Sequence, residues 1–205
     1  MARRTKEEAE ETKKAILLAA LEIFCEKGYS RTTFDEIAKR INLTKGAIYW
    51  HFRNKADILT EIIRKGFLLT HKTIDEKIRP QMGLDAIYEF MQYEAKLISQ
   101  QKLYKQLMFF LLFQMEWSEA ILNKVTKEAN EVVEYPQTII KESLANAKAQ
   151  GTIKEDTDIE SCTCLIIYLW QGIIRNIVKP HSTISYDKLI NDSYSLITKS
   201  IVKEV

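Results

Sequence analysis

The chain has 205 residues, about one to two domains by length, and its 30 Lys+Arg against 28 Asp+Glu leave a formal net charge of only +2. With 46% hydrophobic and 28% charged residues it has the composition of a folded chain with a sizeable core, which excludes a disordered polyelectrolyte as the main state. Six glycines and three prolines are too few for an all-β chain of many tight turns or for a glycine-rich nucleotide-binding sheet, so an all-α fold is expected.

The first helical signal is Ile16, Ala19, Ala20, Ile23 and Phe24, one apolar face at helical spacing, followed by Gly28 where a helix-ending glycine belongs. It predicts a helix over about residues 8–27. Thr33 with Glu36 three residues later is a capping-box pattern, and Phe34, Ile37, Ala38 and Ile41 give a short second helix its apolar face. Asn42 and Leu43 form a tight connection, and Thr44 caps a third helix from Lys45 to His51. Asn54 caps a fourth, with Asp57 at its third position, which runs to the Arg79-Pro80 break. Beyond Gly83 helices are expected over about residues 84–99, 104–114, 118–150, 157–178 and 185–202, with Pro136 kinking or splitting the third of these. The whole makes about nine helices: an N-terminal three-helix module over residues 1–55 and a helical body over 56–205, with the helix from about 55 to 79 as connector.

Charge is less even than its total. Residues 29–55 hold Arg31, Lys39, Arg40, Lys45, Arg53 and Lys55 against Asp35 and Glu36, a local excess of +4 that points to an anionic partner. The odd count of three cysteines and the charged opening, without a secretory apolar region, give the expectation of a reducing, cytoplasmic compartment. The longest apolar runs, LMFFLLF and CLIIYLW, fall short of the roughly 20 residues that cross a bilayer, so no transmembrane helix is expected. Cys162 and Cys164 diverge by about 200 degrees on a helix and read as buried packing residues. His51, His71 and His181 lack metal-ligand spacing, and neither a metal site nor a cofactor is expected.

Two short helices joined by a tight turn, the second opening Thr44-Lys45-Gly46, form the pattern of a helix-turn-helix that places its second helix in a DNA major groove. Gly46 has no side chain to block close approach to DNA, although a tolerated helix glycine would look the same. Of the run Tyr49-Trp50-His51, a helix cannot bury all three; Ile48 and Phe52 are the better core candidates, which frees Tyr49 and His51 for phosphate, with Lys55 adding charge from the next helix. His51 read as a structural histidine is the plainer alternative.

The stretch from Arg3 through Lys55, above all TTFDEIAKRINLTKGAIYWHFRNK, resembles the DNA-binding domain of the TetR/AcrR family of bacterial repressors, most closely the AcrR-like and TtgR-like repressors of multidrug efflux genes. The resemblance implies a homodimer on a palindromic double-stranded operator, with dimer interface and inducer pocket in the C-terminal helices. Carried over by position, it puts Thr32 and Thr33 on phosphate and Lys45, Gly46 and Tyr49 at the groove; Trp50 is counted with them among the candidate DNA-binding residues. Tyr49, His51 and Lys55 also fit as backbone clamps. Arg3 and Arg4 are either an arm reaching the adjacent minor groove or simply a basic tail.

The body is rich in large side chains, most of which belong to an ordinary core. Candidate lining for a small hydrophobic ligand is Tyr88, Met91, Glu94, Phe110, Phe113, Gln114, Trp117, Tyr135, Trp170 and Gln171. The last two helices are apolar on more than one stripe, and Ile167, Ile174, Ile190, Tyr194 and Ile197 are the candidate dimer contacts. No nucleophile–base pair, metal spacing or phosphate loop suggests an enzyme. The expected function is therefore a ligand-released repressor of an efflux or detoxification gene. The alternatives are a metabolic regulator with a lipid-like or acyl ligand, or a regulator without a small-molecule inducer.

Overall fold

In the computed structural model, which describes residues 6–81, 83–179 and 184–203, the regular structure is helical. The helices are α1 (Lys6–Lys27), α2 (Phe34–Arg40), α3 (Lys45–His51), α4 (Lys55–Lys77), α5 (Leu84–Gln100), α6 (Lys102–Phe109), α7 (Glu119–Val133), α8 (Tyr135–Ala149), α9 (Ile159–Val178) and α10 (Tyr186–Ile201). No extended strand forms among the described residues; a single antiparallel bridge pairs Ile153 with Val202.

Among the described residues ten α-helices replace the expected nine, because the segment around Pro136 divides. Pro136 lies in the first turn of α8, where its missing N–H leaves no helical bond unmade. Within α7, Ala129 leaves the helical region (φ −137°, ψ 24°), a kink that no proline marks in the sequence. The helix expected over 104–114 also changes character: α6 gives way to a π-helical stretch, Phe110–Gln114, and the Met115 N–H donates to the Phe110 carbonyl at 2.9 Å.

The chain forms two compact units. The first takes residues up to Gly66 together with 110–130, and the second takes 67–109 with 131–205. This differs from a division at residue 55, because residues 110–130 are held by contacts distant in sequence. In the first unit Ile16, Ala20, Ile23 and Phe24 of α1 bury against a core that includes Phe34, Ile37, Ile48, Ile58 and Leu59. Phe110 joins it, its ring stacked on Phe24 with centroids 5.6 Å apart. The Gln114 amide donates to the Cys25 carbonyl at 3.0 Å, the Ser30 hydroxyl to Glu116 at 2.8 Å, and Lys124 pairs with Asp57 at 2.8 Å.

The second unit is a bundle around α9, which packs on α5, α6, α8 and α10 and buries Ile166, Trp170, Ile173, Ile174 and Ile177. By length and composition α9 is apolar enough to cross a bilayer, contrary to what the short apolar runs suggested. A helix at the centre of a bundle meets the same criterion, and four neighbouring helices pack on this one, burying 39% of its apolar window.

Candidate nucleic-acid interface and ligand region

The helix-turn-helix is fixed by caps written into its sequence. Thr33 has extended backbone and its hydroxyl accepts from the Glu36 N–H, while the Glu36 carboxylate accepts from the Thr33 N–H at 2.9 Å. Lys27 also bonds Glu36, and these partners hold its carboxyl down at about 2. The turn after α2 passes through Asn42 in the left-handed region (φ 54°), where asparagine is among the tolerated residues. Thr44 then caps α3, its hydroxyl accepting from the Ala47 N–H at 3.2 Å. Asn54 caps α4 through the Asp57 N–H at 3.0 Å, as its position in the sequence suggests.

With Ile48 buried and Phe52 5% exposed, α3 turns its other side outward: Lys45, Gly46, Tyr49 and Trp50 are all exposed, Trp50 at 71%. The Tyr49 ring leans on Phe34 with centroids 4.9 Å apart, so its phenol stands out from α3 on a fixed base. His51 is half-buried and meets Trp50 edge-on at 4.5 Å.

Three other carried-over positions sit differently. Thr32 is 1% exposed and its hydroxyl donates to the Gly28 carbonyl at 2.9 Å, which turns it into the α1–α2 connection rather than toward a phosphate. The Thr33 hydroxyl is spent on the capping box, although the residue is exposed. Lys55 donates to the carbonyls of Tyr29 and Ser30 at 2.8 and 2.9 Å, and partial burial pushes its ammonium down from the usual lysine value. Two of its three donors thus secure a loop. Arg3, Arg4 and His181 lie outside the described residues.

The local charge excess is also smaller than it looks. Arg40 is held by Glu22 and Glu26 of α1 at 3.3 and 2.6 Å, two acids that the count leaves out, whereas the Lys45–Asp35 pair at 2.8 Å is already within it. Acids of α1 lie outside the window of residues 29–55 but fold against it, which no count along the chain reveals.

Of the candidate ligand residues, the second unit brings Glu94 and Trp170 together in its core, with Met91 one turn from Glu94 on α5. The Glu94 carboxylate accepts from the Trp170 indole at 2.8 Å and from the Tyr104 hydroxyl at 3.1 Å. Burial raises its pKa to about 7 even so. Tyr104, ten residues away on another helix, had no sequence signal marking it as a partner. Tyr135 stacks on His71 with centroids 3.9 Å apart and donates to Asp75 at 2.8 Å; burial brings the His71 pKa down to about 4. Tyr88 instead faces α10, bonding Asn191 at 2.7 Å, and Gln171 is exposed. Phe110, Phe113, Gln114 and Trp117 belong to the first unit, where Phe110 is core and the Trp117 indole donates to the Leu111 carbonyl.

The dimer candidates divide in the same way. Ile174 and Ile190 are buried within the chain itself, while Ile167, Tyr194 and Ile197 are partly exposed. The large apolar side chains that α9 and α10 expose are Leu165, Tyr168, Leu169 and Leu196. The thiol of Cys164 is exposed beside them and that of Cys162 half-buried, so these two cysteines are not core packing residues.

Residues 16–62, which run from the middle of α1 through α2 and α3 into the start of α4, match the family model described as bacterial regulatory proteins, tetR family. The probable acrEF/envCD operon repressor of Escherichia coli (strain K12) is 31% identical over 183 residues, covering 86% of this chain and 80% of that protein. The chain belongs to the tetR family. Another relative, the transcriptional regulator TtgR of Pseudomonas putida, is 29% identical over 196 residues, covering 85% of this chain and 84% of its own. Among solved structures, NalD, the secondary repressor of the MexAB-OprM multidrug efflux pump in Pseudomonas aeruginosa, superposes with a TM-score of 0.82 at 23% identity, covering 98% of this chain and 100% of that one. That likeness is one of fold. In this tetR-family regulator, then, the capped helix-turn-helix with its exposed side of α3 lies inside the matched family segment.

Proposed function

We propose that the protein is a ligand-responsive transcriptional repressor that binds a palindromic operator as a homodimer, placing α3 of each subunit in the major groove. The observation that carries this reading is the outward face of α3, where Lys45, Gly46, Tyr49 and Trp50 stand exposed on a helix locked by caps at its start and by Ile48 beneath it. The reading makes the protein a cytoplasmic DNA-binding regulator and not an enzyme.

A homodimer is supported by the exposed Leu165, Tyr168, Leu169 and Leu196, because a helix pair apolar on a second face needs a second partner. A small hydrophobic or aromatic inducer is supported by the aromatic core around Glu94, Tyr104 and Trp170, a mixture of apolar surface and a few directed polar groups. An efflux or detoxification gene as target is supported by an operon repressor among its relatives together with the likeness to NalD, whose own target is a multidrug efflux pump. Two recognition helices must stand about 34 Å apart to occupy successive major-groove faces, and a ligand that favours another spacing weakens operator binding by its differential affinity.

Gel shifts with the DNA upstream of the protein's own gene test the reading. Lys45→Ala and Tyr49→Ala each weaken binding, and hydrophobic drugs that raise the melting temperature release the DNA. Unchanged affinity in both variants would overturn it.

A further inference from the structure

Lys45 opens α3 and is its only lysine. Its ammonium does not point into solvent alone: it pairs at 2.8 Å with Asp35, in the first turn of α2, across the 41–44 turn. Both side chains are about half exposed, 49% for Lys45 and 53% for Asp35, so the pair lies open on the surface. The neighbouring cations are engaged differently. Arg40 is drawn onto two acids of α1, and Lys55 onto two backbone carbonyls.

An exposed ion pair of this kind is weak and is exchanged readily for another anion. A phosphate approaching the start of α3 meets a lysine already neutralised and an aspartate that repels it. We infer that Asp35 competes with DNA phosphate for Lys45 and thereby holds down the protein's affinity for DNA of arbitrary sequence. This rests on the reading of α3 as the helix that meets DNA. Phosphate contacts supply essentially all of non-specific binding, whereas an operator adds contacts to base edges. A competitor at one phosphate contact therefore costs random DNA a larger share of its binding than it costs the operator, and the ratio between the two rises.

The test uses the full chain, a labelled random-sequence duplex and a duplex from upstream of its own gene, with affinity followed over salt from about 50 to 300 mM. Asp35→Asn binds the random duplex several-fold tighter than the parent, the salt slope steepening by about 0.9 for each additional phosphate that is neutralised. The tightening disappears in the Asp35→Asn/Lys45→Ala double variant. Loss of one negative charge near DNA would by itself tighten binding whatever Lys45 does, so a tightening of equal size in the Lys45→Ala background overturns the inference. So does an unchanged affinity of Asp35→Asn when Lys45→Ala weakens binding. If Lys45→Ala binds both duplexes as the parent does, Lys45 meets no phosphate and the inference is overturned, while the reading of α3 falls only if Tyr49→Ala is silent as well. Asp35→Ser, which keeps an oxygen in the first turn of α2, repeats the measurement if the asparagine variant melts early.

Discussion

The indole of Trp170 on α9 donates to the carboxylate of Glu94 on α5 at 2.8 Å, and the acid's other hydrogen bond, from Tyr104, is likewise from a neutral side chain. A carboxyl so enclosed holds its proton up to about 7. The folded state therefore binds a proton that the unfolded state releases at the ordinary value of 4.5, and stability falls as pH rises from about 4.5 to about 7. That interval corresponds to roughly 3 kcal/mol.

His71 works in the opposite direction. Burial lowers its pKa to about 4 from 6.5, so the unfolded chain takes up a proton first and stability falls as pH drops from 6.5 toward 4. Over pH 5 to 6 the two groups offset each other. Urea denaturation should find the parent nearly flat there. Glu94→Gln, which keeps an acceptor for Trp170, should gain stability with rising pH, and His71→Phe should lose it. Parallel slopes in all three proteins would contradict this assignment.

Thr33→Ala removes the hydroxyl of the capping box and should cost about 1 kcal/mol, read as a melting temperature about 2–4 °C lower. Thr32→Val tests a different point, because its hydroxyl serves the Gly28 carbonyl inside the connection. It should lower the melting temperature while leaving the DNA affinity of the folded protein within twofold of the parent.

Trp50→Ala truncates the most exposed large apolar side chain among the described residues and should leave the melting temperature within about a degree. Operator affinity should fall with the salt slope unchanged, because a neutral indole neutralises no phosphate charge whether it rests on phosphate or on sugar. A wild-type gel shift from this variant would remove Trp50 from the interface.

Leu165→Glu with Leu196→Glu places charge on the exposed faces of α9 and α10. Light scattering should report a dimer for the parent at micromolar concentration and a monomer for this variant, with helicity unchanged by circular dichroism. A parent that is already monomeric would remove the dimer reading.

Much of the helix-turn-helix was legible in the sequence because its determinants are local. Thr33 with Glu36, Thr44 with Ala47 and Asn54 with Asp57 lie three residues apart, within the reach of a single helical turn. What was not legible depends on partners distant in the chain. Thr32 looks like a phosphate contact until Gly28 is seen to hold it, and Arg40 looks like free charge until Glu22 and Glu26 of α1 come alongside. Glu94 was visible as a polar residue amid aromatics, but Tyr104 as its partner needed α5 and α6 to pack. The apolar residues of α9 and α10 do occupy two sides, as their spacing suggests. Which side faces inward was not given by spacing, and Ile174 and Ile190 fell on the covered one.

The bond from Gln114 to the Cys25 carbonyl bears on how the gene can be cut. Residues 110–130 return to the first unit after the chain has built part of the second, so the polypeptide passes between the units at 66–67, 109–110 and 130–131. An expression fragment ending near residue 66 would keep the whole helix-turn-helix, yet leave the Phe24 ring without Phe110, Asp57 without Lys124 and the Cys25 carbonyl without its amide. The excised reading head would be soluble only as far as water tolerates that bare aromatic surface. A faithful minimal version has to splice the 110–130 segment back on through a designed linker.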